Sequence, residues 1–183
     1  MKTVKISVCI LCILLLCSCT GRSEKGIYEL TYLLNQNGDF NICAEDYRVT
    51  RENDMYKYCV PVNEGLLCVY TDRNGIAVQC TLTVVKENNL FRKNCISLSE
   101  ALTGCNTDEC DRLVKLAFAE GRTDNGQYNF VLISNTVGTT FLVNRSDCEI
   151  NTNGLPTLKR EIRKEDISRP TAEVEKTAYS KTN

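Results

Sequence analysis

The sequence predicts an α+β fold, a small disulfide-rich domain of antiparallel β-hairpins with one or two short helices near residues 97–120. Four Asn-Gly dipeptides, at 37–38, 74–75, 125–126 and 153–154, punctuate the chain, and this dipeptide favours tight hairpins because both residues tolerate positive φ. The runs between them are rich in β-branched and aromatic residues, the composition of strands. Between 106 and 121 apolar residues recur at helical spacing.

Residues 1–19 place Lys2 and Lys5 before the apolar run "ISVCILCILLLC" and then small residues, the order of a secretory signal peptide. The run from Ile6 to Cys17 is twelve residues, short of the ~20 that cross a hydrocarbon core, so no membrane span is expected. The four residues "LCSC" resemble the lipobox of bacterial lipoproteins; that resemblance implies an alternative in which Cys19 is acylated and the chain is lipid-anchored. Residues 20–158 form the expected single domain, with enough chain for a hydrophobic core.

Within the domain, "IYELTYLL", "YKYCVPV" and "GLLCVY" read as strands. "IAVQCTLTVV" alternates Ile76, Val78, Cys80, Leu82 and Val84 on one face, and pairs with "GLLCVY" across the turn "TDRNG". "SLSEALTG" sets Ser97 and Glu100 at capping-box spacing before Gly104, which predicts a short helix. "NTDECDRLVKLAFAEG" predicts another: Asn106 or Thr107 caps it, Asp108 and Glu109 suit the positive end of the helix dipole, and Cys110, Leu113, Val114 and Ala117 line one face before Gly121. "QYNFVLIS", the turn "NTVG" and "TTFLVN" predict a further hairpin. Residues 159–183 carry seven basic and five acidic side chains without a cysteine and are expected to be a charged, mobile tail; its R-x-x-R at 160–163 is a possible site for secretory-pathway proteases.

Twelve cysteines occur, and the eight beyond the signal are Cys43, Cys59, Cys68, Cys80, Cys95, Cys105, Cys110 and Cys148. An even number in an oxidising compartment predicts four disulfides, with connectivity open. No C-x-x-C spacing occurs among these eight, so no metal site is expected. Histidine is absent, which removes the histidine-based nucleophilic triads, histidine-ligated zinc and histidine pH switches. The dense acid clusters, Asp108, Glu109 and Asp111, and Glu45 with Asp46, read as a helix start and a solvated turn rather than converging catalytic carboxylates. No enzyme activity and no cofactor are expected. With Lys2 and Lys5 removed, 20 basic residues face 23 acidic ones, a balance that argues against a nucleic-acid partner, and none is expected. Asn144 in "NRS" is a candidate glycosylation acceptor.

Three short motifs resemble the lipocalin family: Gly26 and Tyr28 for its G-x-W, with Tyr in place of Trp, Thr123 and Asp124 for its T-D motif, and Arg145 for its closing Arg. That resemblance implies an alternative fold, a β-barrel enclosing a small apolar ligand. The reading that needs no resemblance is a secreted, non-enzymatic interaction protein that binds an extracellular protein or receptor. Tyr28, Tyr32, Tyr47, Tyr56, Tyr58 and Tyr70 are candidate anchors for that partner.

Overall fold

The computed structural model describes residues 24–52, 54–63, 65–150 and 156–158. Helix α1 (Ile27–Asn37) leads through a 3₁₀ turn (Ala44–Asp46) into β1 (Arg48–Glu52), β2 (Met55–Val62), β3 (Gly65–Thr71) and β4 (Ala77–Val84). Helices α2 (Asn89–Thr103) and α3 (Thr107–Glu120) follow, then β5 (Arg122–Asp124), β6 (Tyr128–Ser134), β7 (Thr139–Arg145), β8 (Cys148–Ile150) and β9 (Pro156–Leu158). Seven strands form one antiparallel sheet in the order β1-β2-β3-β4-β7-β6-β5, and β8 pairs with β9 separately.

The α+β reading holds, with an antiparallel sheet and three helices among the described residues. The sheet is open: β1 and β5 are its two edges and do not pair, so the barrel of the lipocalin resemblance is not formed. Gly26 and Tyr28, placed in that resemblance on an opening strand, instead cap and begin α1. Thr123 and Asp124 lie in β5, and Arg145 ends β7 in an ion pair with Asp147 at 2.7 Å.

The helices share one face of the sheet. Leu30 and Leu34 from α1, Phe91, Leu98 and Leu102 from α2, and Leu113 and Val114 from α3 pack into one core with Val60, Leu67, Val69, Leu82, Phe130, Phe141 and Val143. Burial of this apolar surface is the main force holding the two layers together. A smaller cluster on the opposite face joins Met55, Cys68, Tyr70 and Val78 to Cys148 of the β8–β9 hairpin.

Helix α3 matches its expectation closely. Asn106 caps it, accepting from Glu109 N at 2.9 Å, Cys110, Leu113, Val114 and Ala117 are buried, and Gly121 ends it in the left-handed region at φ 78°. Helix α2 is longer than expected. It begins at Asn89, capped by Asn88, whose side chain accepts from Phe91 N at 2.8 Å. Ser97, expected to cap, sits mid-helix and donates to Asn37 O at 2.7 Å, tying α2 to the end of α1. The segment "IYELTYLL" is a helix rather than a strand. Leu30, Thr31 and Leu34 fall on one helical face, and Asn35 donates to Ile42 O at 2.8 Å and accepts from Ile42 N at 3.0 Å, securing the returning chain.

The hairpin of β3 and β4 forms as expected, with Asp72 accepting from Asn74 N and Ile76 N in the turn. Its alternation breaks at one place. Tyr70 faces Gln79 and Thr71 faces Ala77, so Val78 is an extra residue of a bulge. Ala77 therefore enters the main core, while Val78 turns to the smaller cluster. The β6–β7 hairpin also forms. Asn74-Gly75 and Asn125-Gly126 make hairpin turns, with Gly75 at φ 79° and Gly126 at φ 84°; Asn37-Gly38 ends α1 instead. Asn153-Gly154, the signal segment with Cys19 and the tail at 159–183 lie outside the described residues.

Candidate functional site

The expected framework of four disulfides is met at one bond among the described residues, Cys59–Cys68. These cysteines are direct register partners on β2 and β3, with Cα atoms 4.3 Å apart. Cys43, Cys80, Cys95, Cys105 and Cys110 stand as thiols. The reason is topological: Cys80 faces Val69 on one neighbouring strand and Val143 on the other, Cys95 and Cys110 are buried in separate helices, and Cys43 is exposed before the 3₁₀ turn. Cys148 packs beside the Cys59–Cys68 pair.

Cys105 and Cys110 flank the start of α3. Cys110 Sγ lies 3.8 Å from Cys105 O and 3.9 Å from Thr103 Oγ1, and Asn125 Nδ2 donates to Cys105 Sγ at 3.7 Å. Lys25 reaches the same corner and donates to Ala101 O at 2.8 Å, one of the last carbonyls of α2. Burial lowers the Lys25 pKa, opposed by nearby Glu29 and the thiols. Burial pushes the Cys110 thiol up to about 12, despite its contact with Thr103, and raises Cys80 and Cys95 as well. Thiols so disfavoured as thiolates are poor nucleophiles.

The acid clusters are engaged locally. Glu109 binds Arg112 through two bonds of 2.8 and 3.1 Å, which hold its carboxyl below the usual range, and Asp111 pairs with Lys115 and, at 3.9 Å, with Arg92. Asp46 accepts from Cys43 N at 2.9 Å beside Glu45 in the 3₁₀ turn. Among the described residues, no three potential metal-ligating side chains converge. Asn144 is fully buried in β7, and its Nδ2, the atom that would carry a sugar, donates to Arg145 O at 2.9 Å and Cys148 O at 3.0 Å. Of the tyrosines, Tyr28 and Tyr32 are 76% and 62% exposed on α1; Tyr47 and Tyr70 are buried, and Tyr56 and Tyr58 are half-buried.

The feature that sequence reading missed lies on the sheet face turned away from the helices. The register places Pro61, Leu66, Thr83, Thr140 and Ile133 in one line across β2, β3, β4, β7 and β6. Beside it runs a second line, Cys59, Cys68, Thr81, Leu142 and Val131, in which Cys68 and Leu142 are buried and the other three are half-buried. Five strands at ~4.8 Å spacing make a panel about 19 Å wide without a charged side chain. Leu66 is 42% and Ile133 46% exposed, Pro61 is exposed, and the threonines are half-exposed, with Thr83 and Thr140 hydroxyls 2.9 Å apart. The signal was present as the off-phase residues of the strand runs, but reading it requires the register of five strands.

A concavity of about 30 Å³ lies between Val62, Leu82, Val84, Asn88, Leu90 and Phe91. It would hold about a single water and not a lipid-sized ligand. Comparison of the chain with protein families, with curated proteins and with solved structures returned no match.

Proposed function

We propose that this protein is a secreted, non-enzymatic binding protein that engages an extracellular protein through the open face of its sheet. The observation that carries this reading is the uncharged panel built on Pro61, Leu66, Thr83, Thr140 and Ile133. A solvated face of an antiparallel sheet ordinarily bears polar and charged side chains. Depletion of charge with exposed aliphatic groups is instead the composition of the centre of a protein interface. The Cys59–Cys68 bond lies in this face, and the strands beneath are anchored by the helical core, so the surface is preorganised for a rigid partner. The barrel that carried the small-ligand alternative is not formed, and Cys19 of the lipid-anchored alternative lies outside the described residues.

The test is a photo-crosslinking residue at Thr83, used to capture and identify a partner from extracellular fluid, followed by affinity measurement with the purified pair. Leu66→Glu with Ile133→Glu is expected to weaken binding by about tenfold or more, because each charge is desolvated without a counter-ion, while melting is unchanged. Equal affinity of the wild type and this variant would exclude the panel as the binding face.

A further inference from the structure

We propose that two copies of the chain associate edge to edge through strand β1, extending the sheet across a two-fold axis at Thr50. The β1 edge adjoins the open face, with Arg48 opposite Cys59, but the pairing uses the strand's backbone edge and the inference does not rest on the function proposed above. Strand β1 is an edge, and among the described residues one side of its backbone has no neighbouring strand. Arg48, Val49, Thr50 and Arg51 are exposed, Val49 at 52%.

The strand is self-complementary when read in opposite directions. Antiparallel pairing about Thr50 sets Arg48 of one copy opposite Glu52 of the other, twice, and Val49 opposite Arg51, twice. In-phase alternation permits pairing only about a residue and not between two residues, because side chains opposite each other must share a face. Centring on Arg51 would oppose two arginines, and centring on Val49 would leave Arg48 against Thr50. Only the Thr50 register brings opposite charges together.

Both charges also lack full satisfaction within one copy. Arg48 has no acidic partner among the described residues. Glu52 meets Lys57 through Oε1 at the long distance of 3.5 Å, and its side chain stays 32% exposed. A guanidinium arriving from the second copy gives the part-exposed Glu52 side chain a second cation, and the stem of Arg51 covers the exposed Val49. A five-residue edge buries less than a standard interface, so the association is weak and concentration-dependent.

Sedimentation velocity on the protein expressed from the full sequence, from micromolar to near-millimolar concentration, tests this. The wild type is expected to shift from monomer to dimer. Arg48→Glu and Glu52→Arg, each placing like charges opposite twice, are expected to weaken the dimer about tenfold or more, and the double swap to restore it. A Val49→Pro variant, which disrupts the edge backbone without changing charge, is expected to remain monomeric. Circular dichroism confirms that each variant is folded. A wild type that stays monomeric throughout would overturn the proposal, as would a dimer indifferent to the single swaps or a double swap no better than either single.

Discussion

The thiols yield the most demanding prediction. At pH 8 an ordinary cysteine with a pKa of about 9 is roughly one-tenth thiolate, whereas Cys110, pushed up to about 12 by burial, is thiolate in about one molecule in ten thousand. The thiolate fraction is about a thousandfold lower, and because a more basic thiolate is roughly twentyfold more nucleophilic, alkylation of Cys110 is expected to be about fiftyfold slower than that of an ordinary thiol, before its loss of solvent access slows it further. Cys43, at the 3₁₀ turn, is exposed to the reagent. The assay is a brief pulse of iodoacetamide on native protein, a quench, unfolding, a second isotopically distinct label and peptide mass spectrometry. Cys43 is expected to carry the first label, and Cys80, Cys95 and Cys110 the second. Cys59 and Cys68 should take neither until a reductant is added. First-label incorporation at Cys110 within tenfold of Cys43, in protein that remains folded, would refute the reasoning. Recovery of Cys110 in a disulfide would refute it too, and would restore the expectation of a stapled framework.

Other consequences are simpler to measure. Asn88→Ala removes the acceptor for Phe91 N and is expected to cost about 1 kcal/mol by urea denaturation, with little change in the slope of the transition. Phe141→Ala, at a fully buried site between helices and sheet, is expected to cost about 3–5 kcal/mol, a large share of the stability of a single domain. Burial raises the Tyr47 phenol to about 12 against 10 when unfolded, an effect opposed by its bond with Thr31 at 3.1 Å. The raised value means that the folded state retains the proton longer, so this stability is complete below pH 10 and falls as pH rises from 10 to 12. Between pH 9 and 12 the wild type should lose about 2 kcal/mol more than Tyr47→Phe; equal losses would show that Tyr47 ionises as freely in the folded protein.

Local chemistry made much of this fold legible. Asn106, the acids after it, the spacing of Cys110, Leu113, Val114 and Ala117, and Gly121 all point to one helix, because every signal lies within that segment. The β3–β4 and β6–β7 hairpins were readable for the same reason. Failures came where distant residues decided. "IYELTYLL" has strand-like composition, yet it is a helix because Leu30 and Leu34 reach the core beneath it and Asn35 binds Ile42. Ser97 and Glu100 imitated a cap in a helix already begun by Asn88. Cysteine count alone could not pair sulfurs, since pairing needs neighbouring Cα atoms; among the described residues Cys59 and Cys68 are brought into register as a bond.

The sequence by itself determined the α+β class, the two hairpins and helix α3, because period, caps and turns act over a few residues and need no distant partner. Tertiary structure alone decided that the sheet stays open and which thiols are buried, and it assembled the uncharged panel from five strands. Each depends on strand order and register, which bring together residues as far apart as Pro61 and Ile133.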